Sequence, residues 1–291
     1  MTPLDPLYFG TQGWAQRVAT WMSNANSAPS ATPFLDGNVR LIRHSLMHSD
    51  ATGPRMVVNI GADALLSFLA TGDYRNIYAQ PVVGGKRRSP TKERVAVDGL
   101  LELEGGGANH YFGAVALDGT GVRFYGEYCM AIQPARVTAD TRLFDRDSYD
   151  LLQAPLADPD PQKAGEIVSA LRGQWGADLA DMLIMKMLPR LPPVQHLITA
   201  GTISGLVLSD QEFVEVHLED KILTQDIEEI RQSPDADAVE AGIVNRKRNR
   251  QSPTLVEMRW VEQRMRVRAQ LLQQGVGYRV VTFQGRGYQW T

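Results

Sequence analysis

The 291-residue sequence has a single cysteine, Cys129. It therefore has no intramolecular disulfide framework and no zinc ribbon built on thiolates, which fits a reducing compartment. No run approaches the roughly 18 apolar residues of a membrane span. Met1 to Ala31 has no basic stretch leading into an apolar one, so no secretory signal peptide is read there. There is no G-x-x-x-x-G-K-[ST] phosphate loop. Gly119 to Phe124 does not complete a dinucleotide fingerprint, and Gly201 to Gly205 lacks the order of a nucleophile elbow. No internal repeat occurs. Neither charge sign dominates: Lys+Arg is 30 and Asp+Glu is 33, a net charge of -3. That excludes a uniformly basic nucleic-acid coat and leaves room only for a local patch. His44 and His48 are four residues apart, but on the strand expected there the spacing does not put both rings on one side, so no metal site is read. Cys129 falls mid-strand, where a thiol is buried and inert.

What is present is ordinary globular material, 43% hydrophobic and 22% charged. The length suits about two domains, or one large domain with extensions. Trp14, Val18 and Trp21 predict a short helix, followed by a loose linker from Ser23 to Pro33. Val39 to Leu46 reads as a strand and Gly61 to Ala70 as a helix stopped by Gly72. Residues 80–99 read as a basic, turn-rich loop. Tyr111 to Leu117 and Val122 to Ile132 flank Asp118-Gly119-Thr120-Gly121 and predict a β-hairpin. Residues 157–193 read as a helical insert, with Asp160-Pro161 a helix start. Ile203 to Leu208 and Glu212 to Leu218 read as strands, Thr254 to about Gln273 as a helix, and Tyr278 to Phe283 as a last strand. Hairpins mixed with separate helices give an α+β class.

Charge is unevenly spread. From Gly205 to Glu240 there are 11 acidic and 2 basic residues; from Ala241 to Thr291 there are 10 basic and 2 acidic. The basic group includes Arg246, Lys247, Arg248, Arg250, Arg259, Arg264, Arg266 and Arg268. It is either a docking surface for phosphates or a partner, or a helix face that neutralises the acidic segment before it. The first alternative makes the chain a non-enzymatic nucleic-acid- or protein-binding adaptor.

Chemistry is sought in two strands. In Glu212 to Leu218, Val214, Val216 and Leu218 alternate onto one face, and Phe213, Glu215 and His217 onto the other. Glu215 either faces a cleft or faces solvent on an edge strand. In the strand expected at Val39 to Leu46, Arg43 shares a partly apolar face with Val39 and Leu41. Its planar fork suits a phosphate pair, or it lies at the wet end of the strand.

Five segments, in order, resemble the ADP-ribosyltransferase toxin family. They are Leu41 to Ser45 (LIRHS), Leu65 to Tyr78 (LLSFLATGDYRNIY), Arg123 to Pro134 (RFYGEYCMAIQP), Thr141 to Ser148 (TRLFDRDS) and Phe213 to Ile230 (FVEVHLEDKILTQDIEEI). The resemblance covers about 190 residues. It implies a split, mixed or antiparallel sheet core over 39–232 with peripheral helices and the insert at 157–193. That core is preceded by a helix and linker at 1–38 and followed by a basic helix and strand at 233–291. It implies NAD as substrate, cleavage of the nicotinamide–ribose bond, and transfer of ADP-ribose to a protein or nucleic acid. Water as acceptor makes the chain an NAD glycohydrolase. Glu215 is then the catalytic carboxylate, and Arg43, His44, Tyr111, Tyr125 and Gly126 bind NAD. Glu127 is a rival carboxylate, and His217 either shapes the acceptor side or is structural. Phe213 stands where many members carry Gln or Glu two residues before the catalytic acid, which leaves the acceptor open. The resemblance further implies a toxin- or effector-like role, in the cytoplasm or delivered to a target cell, with an inhibitor protein as a possible partner.

Overall fold

A computed structural model describes residues 12–26, 35–47, 53–79, 82–83, 86–87, 90–101, 107–153, 157, 160–187, 200–208 and 212–281. Helices α1 (Trp14–Asn26) and α2 (Leu35–Met47) lead into strand β1 (Arg55–Ile60) and helix α3 (Ala62–Thr71). A small pair, β2 (Val82–Val83) and β3 (Lys86–Arg87), precedes helix α4 (Lys92–Leu100). Then come β4 (His110–Ala116), β5 (Tyr128–Ile132) and β6 (Arg142–Phe144). Helix α5 (Pro161–Leu171), strand β7 (Arg172–Gln174), and helices α6 (Trp175–Met187) and α7 (Ala200–Val207) follow. The chain continues through β8 (Glu215–Glu219), β9 (Ile227–Gln232), α8 (Pro234–Arg248), α9 (Leu255–Gln274) and β10 (Gly277–Val280).

Eight strands form one sheet in the order β10-β9-β5-β1-β4-β8-β6-β7. All neighbours are antiparallel except β9 and β10, which are parallel. The class is therefore α+β, as the mixed order of elements suggests. One apolar core runs from Trp14 and Val18 through the sheet to Val267 and Leu271. It draws on the N-terminal helix, the central segment and the C-terminal helix alike. A second cluster gathers Val97, Leu101, Phe144, Leu151, Ile167, Val168 and Leu171.

Several local signals are met. Trp14 and Val18 are buried on α1, Asp160 caps α5 ahead of Pro161, and Gly72 and Gly275 end α3 and α9 in left-handed conformation. Thr254 and Glu257 form a capping box at the start of α9.

Other expectations are corrected. The strand expected at Val39 to Leu46 is part of helix α2. Val39, Ile42 and Leu46 are all buried, and their spacing of three and four residues is a helical stripe. The hairpin around Gly119 does not form, because β1 lies between β4 and β5 and pairs with both. Val122 to Glu127 is not strand but a loop with a 3-10 turn at Arg123–Tyr125. Ile203 to Leu208, expected as a strand, lies largely in helix α7. The basic loop expected at 80–99 contains α4. The helical insert is not wholly helical: β7 interrupts it and pairs with β6 at the sheet's edge. The residues of the linker at 27–33, His48, residues 188–193 and the last strand's Thr282 and Phe283 lie outside the described residues.

The charge asymmetry resolves in part as neutralisation. Arg264, fully buried, reaches Asp237 Oδ1 at 2.5 Å and Glu240 Oε2 at 2.7 Å. Arg268 also binds Glu240, and Arg246 binds Glu257. The four arginines Arg259, Arg264, Arg266 and Arg268 thus do not form one exposed face.

At the sheet edge, Glu229 accepts hydrogen bonds from Arg231 and Arg279, and Arg279 also binds Asp118. Burial alone would raise the Glu229 carboxyl, but the bonds from Arg279 and Arg231 together outweigh it and hold it at about 2. A depressed carboxyl stabilises the fold above its unfolded value and loses that contribution as pH falls from about 4.5 toward 2. Glu229→Gln is therefore expected to flatten the acid limb of a stability-versus-pH curve below about pH 4.5, as urea midpoints across that range would show.

Candidate functional site

The alternation expected over Glu212 to Leu218 holds from Glu215 onward, on strand β8 inside the sheet; residues 212–214 are not strand, and Phe213 is buried in the main core. β8 is flanked by β4 and β6, so Glu215 sits opposite Ala114 on one side and Phe144 on the other. Val216 and Leu218 enter the main core, while Glu215 and His217 are buried on the other face. A buried carboxylate without partners is costly, and Glu215 has several. The backbone N–H and hydroxyl of Ser148 donate to its Oε2 at 3.2 and 3.3 Å. His217 Nε2 lies 2.6 Å from its Oε1, where an N–H on that nitrogen donates to the carboxylate. Phe112 meets the His217 ring edge-on at 5.0 Å and Phe144 stacks on it at 6.1 Å. The histidine therefore has a packed position and fixes the acid in turn.

Glu215 lines a cavity of about 160 Å³. Its walls include Phe112, Tyr74, Tyr125, Tyr149 and Arg94. Arg94, on α4, is buried, donates through Nε to Asp98 Oδ1 at 2.7 Å and lies 3.9 Å over the Phe112 ring. It also reaches the Ser148 hydroxyl at 3.4 Å, so α4 braces the turn that holds Glu215. Tyr78 donates to the same Asp98. At the mouth, the Tyr125 hydroxyl donates to Asp147 Oδ2 at 2.6 Å. Burial, then Asp147, pushes the Tyr125 phenol up, so it remains a proton donor at neutral pH.

A wider groove of about 630 Å³ adjoins this cavity, and Asn59, Tyr74 and Tyr125 line both. Asn59 Nδ2 donates to the carbonyls of Thr120 and Gly126 at 2.8 and 3.1 Å, which ties the loop to the end of β1. A Cβ on Gly126 would come within 2.1 Å of the Ile60 backbone, so only glycine permits this approach. Phe124, Glu127, Trp260, Gln263 and Arg75 complete much of the groove. Glu127 accepts from Trp260 Nε1 at 3.0 Å, and burial pushes its carboxyl up.

Glu215 and Tyr125 thus line the small cavity, and Gly126 lines the groove next to it. Arg43 does not join them. On helix α2 it faces α6 and pairs with Asp181 at 2.5 Å. His44 is exposed on the same helix and lines neither cavity. Tyr111 is buried against Tyr74, with ring centroids 5.8 Å apart, and does not line the cavity. The rival carboxylate Glu127 belongs to the groove. No group of three or more His, Cys, Asp or Glu suited to a metal occurs among the described residues. The Cys129 thiol is fully buried, which pushes it up to about 12 and keeps it protonated.

Sequence reasoning missed Arg94, Asn59 and the bracing role of Ser148. A signal for Arg94 existed. Thr91 is a good N-cap, and Arg94 and Asp98 have the i,i+4 spacing of a helical ion pair. Both features are present in α4.

No family model, no curated protein and no solved structure matches this chain.

Proposed function

We propose that the chain cleaves the nicotinamide–ribose bond of NAD at the Glu215 cavity and passes ADP-ribose to a macromolecular acceptor. The observation that carries this reading is a buried carboxylate, held by Ser148 and His217, in an aromatic-walled cavity of about 160 Å³. That volume lies below the roughly 300–1,000 Å³ of a typical ligand pocket. It suits a single ring and its sugar, with the rest of the dinucleotide emerging at the mouth.

Breaking the bond sends its electron pair to the nicotinamide nitrogen, which leaves neutral. Positive charge then develops on the ribose, as in glycoside cleavage. Glu215, already oriented, stabilises that charge without reorganising, which is the basis of electrostatic catalysis. The faces of Tyr74, Tyr125 and Tyr149 suit the cationic ring before cleavage. The acceptor attacks the sugar carbon, forming the new bond, and its proton passes to water.

Arg43 has no part in this scheme, since it pairs with Asp181 away from the cavity. Arg94 braces the turn and is engaged by Asp98. The two concavities hold Asp63, Glu127, Asp147 and Glu215 against Arg75 and Arg94. Such an acidic lining favours the cationic end of NAD over its diphosphate.

Incubating the protein with adenylate-labelled NAD, a protein mixture and nucleic acids tests the proposal. Label on a macromolecule, with free nicotinamide released in equal amount, is the expected result. Label only in free ADP-ribose would make the chain a glycohydrolase. Intact NAD would reject the reading.

A further inference from the structure

We infer that the groove beside the Glu215 cavity binds single-stranded nucleic acid, with Phe124 as a stacking platform and α9 as a phosphate track. Phe124 is 80% exposed, although it sits on a short and firmly anchored turn. Its predecessor Arg123 is buried and bonds Asp235 at 3.3 Å. Its successor Tyr125 bonds Asp147 and meets the Phe124 ring edge-on at 5.4 Å. A large ring held in water by fixed neighbours contributes little to the core and is ready to receive a flat partner. Every nucleobase offers such a face.

Other residues of the groove lining supply polar and charged groups. Gln263 lines the groove beside Asp63, to which its side-chain amide donates at 2.6 Å. An amide and a carboxylate together can serve donor and acceptor edges of a base. Arg259 lies four residues before Gln263 and Arg266 three residues after it, so all three share one face of α9. Both arginines are exposed, and neither makes an ion pair among the described residues. They lie about 10 Å apart along the helix axis. Lys247, Arg248 and Arg250 are exposed near the end of α8, which Arg246 joins to the start of α9 through Glu257. Glu262 is the one exposed acid between Arg259 and Arg266. Arg259 and Arg266 therefore share the α9 face of the groove-lining Gln263, beside a groove whose own lining is acidic and aromatic. That layout places phosphates on the rim and bases within, and it gives an acidic protein no reason to prefer the interior. The overall charge of -3 does not oppose it, because the basic residues are segregated.

This surface goes beyond the glycosidic reading and does not depend on it, so the test omits NAD. A fluorescein-labelled single-stranded oligonucleotide of about twelve nucleotides is titrated with the full chain, and anisotropy is read between about 50 and 200 mM salt. Phe124→Ala is expected to weaken binding about tenfold at every salt concentration. Replacing Arg259 and Arg266 together by Ala should lower the slope of log affinity against log salt by about 1.4. Native melting curves for these surface variants verify that the fold persists. Absence of binding at about 50 mM salt, or variants that bind like the parent, would overturn the assignment. So would equal displacement by polyglutamate, which would mark a general anion surface. Displacement by ADP would assign the groove to the adenylate half of NAD and equally overturn it. Loss of NAD turnover in Glu215→Gln with oligonucleotide binding intact is the expected separation of the two proposals.

Discussion

Glu215→Gln is expected to keep the fold and to lower NAD consumption by at least about a hundredfold. Glutamine has the same shape, and its amide oxygen still accepts the N–H of Ser148. The amide NH2 then takes the place of Oε1 and donates to His217 Nε2, so the cavity stays closed around the residue. What disappears is the negative charge beside the sugar. Electrostatic groups of this type contribute about 3 kcal/mol or more to a transition state in a water-poor site. Chromatographic measurement of nicotinamide release, beside circular dichroism of the same sample, decides the matter. Parent-like release from a folded Glu215→Gln protein would remove Glu215 from the chemistry. A partial loss in His217→Phe with Glu215 present would identify the histidine as a positioning residue, since phenylalanine keeps the packing against Phe112 and Phe144 but not the hydrogen bond.

Arg94→Met should cost the fold about 3–5 kcal/mol, the usual consequence of removing one member of a buried ion pair. The loss leaves the Asp98 charge buried, with Tyr78 as its remaining partner, and removes the cation from the Phe112 ring. At about 2.1 cal/mol/K per residue, each kcal/mol moves the melting midpoint of this 291-residue chain by roughly 1.6 °C, so a fall of about 5–8 °C is expected by differential scanning calorimetry. Arg94→Met combined with Asp98→Leu should recover much of the loss, because a packed apolar pair often matches a buried ion pair in stability. If the single variant melted like the parent, α4 would not brace the Ser148 turn.

The sequence carried the Glu215 face well, because period-two alternation is a backbone property and β8 obeys it. The partners of Glu215 were not legible in that strand. Ser148 comes from a turn 67 residues earlier and Arg94 from a helix hidden among glycines and basic residues. Arg43 went astray for a simpler reason. LIRHS is too short to separate periods of two and 3.6, and the buried stripe of Val39, Ile42 and Leu46 needs the longer window to show. The hairpin failed because turn chemistry at Gly119 and Gly121 reports a reversal of direction, not which strands become neighbours. Asn59 holds that reversal against β1, which occupies the space a hairpin partner would take.

The strand order has a consequence for biogenesis. β6 and β7 attach to the rest of the sheet only through β8, which the ribosome makes about 70 residues after β6. Until β8 slots in, that side of the nascent chain presents open strand edges, and interleaved long-range pairing of this kind slows folding. Ser148 and Glu215 first meet at the same moment, so a chain stalled before β8 has no assembled Glu215 cavity, and roughly three-quarters of the 291 residues must be made before it closes.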